Sequence, residues 1–202
     1  MSDFLMKSII GLALLLFITG CTSEEGIDTN VLGEEEILLY VGDSDTEDEL
    51  LFVMDYSCPW CKVWMDDIYP EVKEHWIDNE KLKFRTQTMV YLNENSLRLT
   101  DFDQNVKLYH PELYYDVIHE IMAEAGEEGP ENWGSIAYIE DKATQFNLNE
   151  KTWSSKPAVD SISVTRRYTR ALNIETVPAV FVNGVKVEDP FSLDEIEKLL
   201  TR

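Results

Sequence analysis

Residues 50–64, LLFVMDYSCPWCKVW, constrain what this chain can fold into more than any other stretch. Strand-forming apolar residues lead through Asp55, Tyr56 and Ser57 into Cys58-Pro59-Trp60-Cys61, and a helical pattern follows at once. Pro59 suits a first helical turn, because its missing N–H has no intrahelical partner there anyway. From Cys61 the apolar positions Trp64/Met65, Ile68, Val72 and Trp76 fall on one face of a 3.6-residue period. Cys61 therefore belongs to a buried stripe, while Cys58 stands at the open helix N-terminus. Unpaired N–H groups and the helix dipole favour a thiolate at Cys58. Cys61, one turn inside, is sheltered yet placed to resolve a mixed disulfide. A purely structural disulfide gains little here, since so short a loop removes little unfolded-state entropy. A zinc site needs four nitrogen or sulfur ligands, and the only other cysteine is Cys21, while His110 and His119 lack ligand spacing. Strand, CxxC and helix in an exported chain read as redox-active, with no metal called for.

Export is read from the other end of the chain. Residues 9–18 form an apolar run too short to span a bilayer, preceded by Lys7 and followed by Gly20-Cys21. The order Ile18-Thr19-Gly20-Cys21 resembles a bacterial lipoprotein signal, which implies removal of residues 1–20 and lipid on Cys21. Met6 is the alternative start to Met1. Residues 22–35 are polar and acidic without periodicity, so an acidic tether over 21–35 is expected. With 44% hydrophobic and 28% charged residues, the remainder has the composition of one globular domain. A formal net charge of −22 argues against nucleic acid, or an anionic membrane surface, as a direct partner.

Residues 36–41 read as a first strand and 50–55 as a central strand, apolar on both faces. Pro70 predicts a kink or restart near Tyr69 in the helix after Cys61. Residues 81–90 read as the next strand, and strand–helix–strand implies a parallel crossover. Residues 91–156 are helical and interrupt the pattern. Pro111 opens one helix, residues 135–146 another, and Trp133 and Trp153 are expected in the core of this layer. Residues 157–172 form a further helix, with Asn173 as a left-handed cap. Asn183-Gly184 between two β-rich runs predicts a hairpin. Ser192 with Glu195 reads as a capping box opening a terminal helix.

This order resembles the DsbA-like disulfide oxidoreductases. The fold expected is therefore α/β, a thioredoxin-like fold over residues 36–202 with an inserted helical domain at about 91–156. Its specific parts are DYSCPWC at 55–61 and LNIETVPAVFVNG at 172–184. The resemblance implies that Pro178 is cis and lies beside the cysteines. It also implies that Val177, Pro178, Pro59 and Trp60 meet substrate, Val177 through main-chain hydrogen bonds to an extended chain. Two positions depart from the family pattern. The residues between the cysteines include no histidine, and Phe52 stands where a buried carboxylate is common. Asp55, the nearest acid, is expected to raise the Cys58 pKa by like-charge repulsion. Val177 resembles the residue that oxidases place before the cis proline.

The activity expected is that of a membrane-anchored extracytoplasmic enzyme introducing disulfides into exported proteins. A reductase or isomerase of exported proteins is the alternative, and a client-binding lipoprotein the alternative of another class. An oxidase requires a membrane partner to reoxidise it, a quinone-linked oxidase; a reductase requires a membrane thiol donor. No cofactor is implied.

Overall fold

The computed structural model describes residues 26–126 and 128–200. Its centre is a four-stranded sheet in the order β2-β1-β3-β4, with β1 (Glu49–Met54), β2 (Lys83–Thr88), β3 (Ala179–Val182) and β4 (Val185–Lys186). β1 pairs in parallel with β2 and antiparallel with β3, so it lies inside the sheet. Alternation along β1 explains its near-continuous apolar sequence. Leu50, Phe52 and Met54 face a core shared with Trp64, Val72, Phe84 and Ile196. Leu51 and Val53 face a second core with Val164 and Tyr168 of α7 (Ser161–Ala171) and with Leu172, which caps that helix.

The helix after the dithiol runs from Pro59 to Ile77 without a break. It comprises α1 (Pro59–Val63), a π-wound turn (Trp64–Ile68), α2 (Tyr69–Val72) and a second π-wound turn (Lys73–Ile77). The kink expected near Tyr69 takes the form of this widening. Tyr69 N–H donates to the Trp64 carbonyl, five residues back, at the turn just before Pro70. Between β2 and α7 come α3 (Glu94–Tyr109), α4 (Tyr114–Ala123), α5 (Ile136–Gln145) and α6 (Lys151–Ser154). They form the helical insertion of a thioredoxin-like fold. α8 (Leu193–Leu200) closes the chain against the first core through Ile196 and Leu199.

Several boundaries differ from the sequence expectations. The strand expected at 36–41 is a single antiparallel bridge, Val41 with Phe84. Side chains take the polar partners there: Glu36 pairs with buried Arg85, and the Tyr115 hydroxyl donates to the Leu39 carbonyl at 2.6 Å. The free tether expected over 21–35 is docked from residue 26 onward. Ile27 N–H donates to the Gly184 carbonyl at 3.0 Å, Arg85 donates to the Thr29 carbonyl at 2.9 Å, and Leu32 is buried in the second core. The helix expected from 157 begins at Ser161, where the Asp160 carboxylate accepts from Ser163 N–H at 2.7 Å. Pro111 starts a 3-10 turn (Pro111–Leu113) and α4 begins only after it. Trp153 is 38% exposed, not core. Asn173 is left-handed as expected, with φ 48°. Asn183 and Gly184 both have positive φ, as the tight hairpin turn requires. Asn183 also accepts from Glu49 N–H at 2.9 Å, which pins the hairpin to the start of β1.

Candidate active site

β1 delivers the chain to the dithiol at its C-terminal end. Cys58 is extended, at φ −84° and ψ 113°, and caps α1: its sulfur accepts the N–H of Cys61 at 3.3 Å. Pro59 occupies the first helical turn. Cys58 is 5% exposed and Cys61 fully buried, and both are free thiols. The Cys58 thiol is acidified to about 7 from 9.0. The hydrogen bond from the Cys61 thiol does most of this, against the cost of burial, and the Cys61 and Trp60 N–H groups add to it. Asp55 opposes the shift, as the sequence indicates, yet contributes least. Cys61 moves the other way, its thiol pushed far up by burial and by Cys58. One sulfur is poised as a thiolate and the other kept protonated.

Val177 and Pro178, 119 residues on from Cys58 in the case of Val177, close the site. Their peptide bond is cis. The Cys58 thiol donates to the Val177 carbonyl at 3.5 Å. The structure thus brings together Cys58, Cys61, Pro59, Val177 and Pro178. Trp60 is 62% exposed, its ring edge-on to Phe191 at 6.1 Å. Phe191 is held by its neighbour Pro190, whose carbonyl accepts the Trp64 indole N–H at 2.8 Å. Phe52, at the position of the missing carboxylate, stacks on Trp64 at 4.0 Å. Cys21 lies outside the described residues.

A groove of about 650 Å³ runs from Cys58 along the seam between the sheet domain and the insertion, past Tyr56, Lys62, Asn93, Ala125 and Trp133. Lys62 bridges the seam, donating to the Met122 and Ala123 carbonyls at 3.2 and 3.0 Å at the end of α4. Trp133 borders the groove while its indole N–H donates to the Ile121 carbonyl at 3.1 Å. Beneath Tyr56 its hydroxyl donates to buried Asp103 at 2.9 Å, and Thr88 donates to the other oxygen at 3.0 Å. Burial pushes the Asp103 carboxyl up, and it pushes the Lys107 ammonium down.

Sequence reasoning missed the mooring of the dithiol loop. Asn93 caps α3, its oxygen accepting the N–H groups of Asn95 and Ser96 and, at 2.9 Å, the Ser57 hydroxyl. An Asn directly before a helical stretch carries the signal of such a cap. Its attachment to Ser57 carries none. Among the described residues no group of three or more His, Cys, Asp or Glu side chains is arranged to hold a metal ion, and no helix is long and apolar enough to cross a membrane.

A family model described as Thioredoxin matches residues 35–202. Disulfide bond formation protein D of Bacillus subtilis (strain 168) is 25% identical over 158 residues, which cover 73% of this chain and 68% of that protein. Probable disulfide bond formation protein D of Bacillus cereus is 20% identical over 167 residues, covering 80% and 76%. Among solved structures, oxidised BdbD from Bacillus subtilis is similar with a TM-score of 0.68 at 22% identity, covering 82% of this chain and 94% of that one. The catalytic domain of Proteus mirabilis ScsC follows with a TM-score of 0.65 at 19% identity, covering 85% and 94%.

Proposed function

The chain belongs to the thioredoxin family as a DsbA-like thiol–disulfide oxidoreductase, and on that premise we propose that it introduces disulfides into exported proteins from a lipid anchor outside the cell membrane. The observation that carries this reading is the contrast between the two sulfurs. Cys58 is acidified to about 7 at a helix N-terminus beside the Val177 carbonyl, and Cys61 is buried with its thiol driven up. A stabilised Cys58 thiolate stabilises the reduced pair, which is what makes a dithiol an oxidant.

In the oxidised protein a substrate thiolate attacks Cys58 Sγ. The Cys58–Cys61 bond breaks, its electron pair leaves on Cys61, and Cys61 takes up a proton. A second substrate thiolate then attacks the substrate sulfur of the mixed disulfide and expels Cys58 as its thiolate. The substrate leaves oxidised by two electrons, and the dithiol holds them until a membrane partner, a quinone-linked oxidase, removes them. Val177 offers main-chain groups to the incoming extended chain, Pro178 shapes that edge, and Pro59 and exposed Trp60 flank it. The Ile18-Thr19-Gly20-Cys21 box supports lipid on Cys21.

The test mixes stoichiometric oxidised protein with a reduced, unfolded protein that carries two cysteines. The expected result is rapid disulfide formation with the enzyme left reduced. An equilibrium lying towards the oxidised enzyme assigns it instead as a reductase, supplied by a membrane thiol donor. No exchange in either direction overturns both and leaves a client-binding lipoprotein.

A further inference from the structure

Asp55 is a fully buried carboxylate three residues before Cys58. A buried carboxylate is costly unless its oxygens are filled. Here they are filled from three directions. Oδ1 accepts Ser57 N–H at 2.8 Å and the Ser96 hydroxyl at 2.6 Å. Oδ2 accepts the N–H groups of Tyr91 at 2.8 Å and Leu92 at 3.2 Å. The Asp55 main-chain carbonyl accepts Cys58 N–H at 3.0 Å. One residue therefore ties the dithiol loop to the segment after β2 and to the first turn of α3. Asn93 reinforces the tie by accepting the Ser57 hydroxyl. The N-termini of α1 and α3 thus converge on one loop with this anion between them.

We propose that Asp55 is a positioning residue that sets how oxidising the dithiol is: it moors the Cys58 loop to the helical insertion, and its buried charge holds the pair less oxidising than a neutral mooring would. The inference rests on the reading of Cys58 and Cys61 as the exchanging pair. The two parts act with opposite sign. Mooring keeps the α1 N–H groups aimed at Cys58 and favours the thiolate. The negative charge disfavours a second anion nearby, and so disfavours the reduced state that carries it. Asp55 is one of the contributions that raise the Cys58 thiol. A purely structural aspartate has only the first effect, and the difference in sign makes the two separable.

Asp55→Asn keeps the size of the side chain and one acceptor oxygen while removing the charge. Three readouts are taken on the full chain: thermal unfolding, the ultraviolet titration of the Cys58 thiolate, and the equilibrium of the dithiol with glutathione. We expect lower stability together with a more acidic Cys58. The glutathione equilibrium should move about threefold towards the reduced dithiol, roughly 15 mV for a two-electron couple. A folded Asp55→Asn protein with an unchanged or less acidic Cys58 overturns the proposal. Ser96→Ala covers the case in which Asp55→Asn does not fold. It removes one donor and leaves the charge less neutralised, so Cys58 should become less acidic by about threefold in its ionisation constant. An unmoved titration in Ser96→Ala overturns the proposal as well. Wild-type protein that does not exchange with glutathione at all sinks the dithiol reading itself, an outcome distinct from an exchanging wild type with unresponsive variants.

Discussion

The two cysteines differ because one turn of helix separates an end from an interior. At Cys58 the first helical turn supplies the N–H groups of Trp60 and Cys61, the latter shared with the Cys58 carbonyl at 3.1 Å, plus the Cys61 thiol as a donor, and together they outweigh both burial and the charge of Asp55. At Cys61 burial dominates and nothing comparable offsets it. Alkylation of the reduced protein should therefore label Cys58 first, with a rate that rises through a midpoint near pH 7. Mass mapping checks it, and preferential labelling of Cys61 reverses the assignment. The sign extends to stability. The Cys58 pKa is depressed on folding, so its contribution to the reduced form is complete above 9.0 and is lost as pH falls through about 7. Trapping follows from the same asymmetry. Cys61→Ala removes the group that resolves mixed disulfides and should accumulate them with exported proteins, whereas Cys58→Ala should accumulate few. Equal trapping by both variants contradicts the proposed order of attack.

The helix that carries the dithiol is also the element that organises its rim. Trp64, one turn beyond Cys61, is fully buried between Phe52 at 4.0 Å and Phe84 at 6.1 Å. Its indole N–H reaches out of that stack to the Pro190 carbonyl, and so fixes the loop that lays Phe191 against Trp60. Glu195 grips the same loop. The capping box expected at α8 forms only in half: Glu195 N–H donates to the Ser192 hydroxyl at 3.2 Å, while the carboxylate accepts from Glu188 and Asp189 N–H at 2.9 and 3.0 Å. Those two donors lie outside the helix, where the chain turns back towards the active site. Trp64→Phe keeps most of the stacking and leaves the Pro190 carbonyl without its donor, a loss of about 1–2 kcal/mol. Chemical denaturation measures it, and faster proteolysis within residues 188–192 should accompany it. A stability equal to wild type shows that water replaces the indole at no cost.

At the scale of the molecule, the dithiol lies where two cores and a helical layer meet. The sheet separates the two cores, and the insertion rests on the first of them through Leu99, Phe102, Val117 and Ile121. Seam contacts such as Lys62 with the end of α4, and Asp55 with α3, make the layer part of the active site's support. The segment from residue 26 is packed at the far end of β1, against the β3–β4 turn, whereas Cys58 follows the near end. If Cys21 carries lipid, the four residues between it and Gly26 allow at most roughly 17 Å of free chain. Cys21→Ala should release the protein from membranes or block its processing. Membrane fractionation checks this, and unchanged association with normal cleavage removes the anchor from the proposal.

What the sequence determined by itself is the part of the protein governed by neighbours along the chain. CPWC after a strand places one sulfur at a helix end and the other on its buried stripe, because a 3.6-residue period leaves no other arrangement. Asn183-Gly184 encodes its turn through two residues that tolerate positive φ, and Asn173 encodes its cap in the same way. α3 was legible only as helical, since Ser96, Thr100, Asp103 and Asn105 are all buried on it and blur any apolar stripe. Tertiary structure decided the rest. It carried the Val177 carbonyl to Cys58 across 119 residues, gave the Asp55 carboxylate its donors from Tyr91, Leu92 and Ser96, and anchored residues 26–35 through Ile27, Thr29 and Leu32. Each of these depends on hydrogen bonds or burial between segments distant in sequence. Local propensity registers a residue's own backbone preference, and it holds no record of which remote donor will fill a buried oxygen.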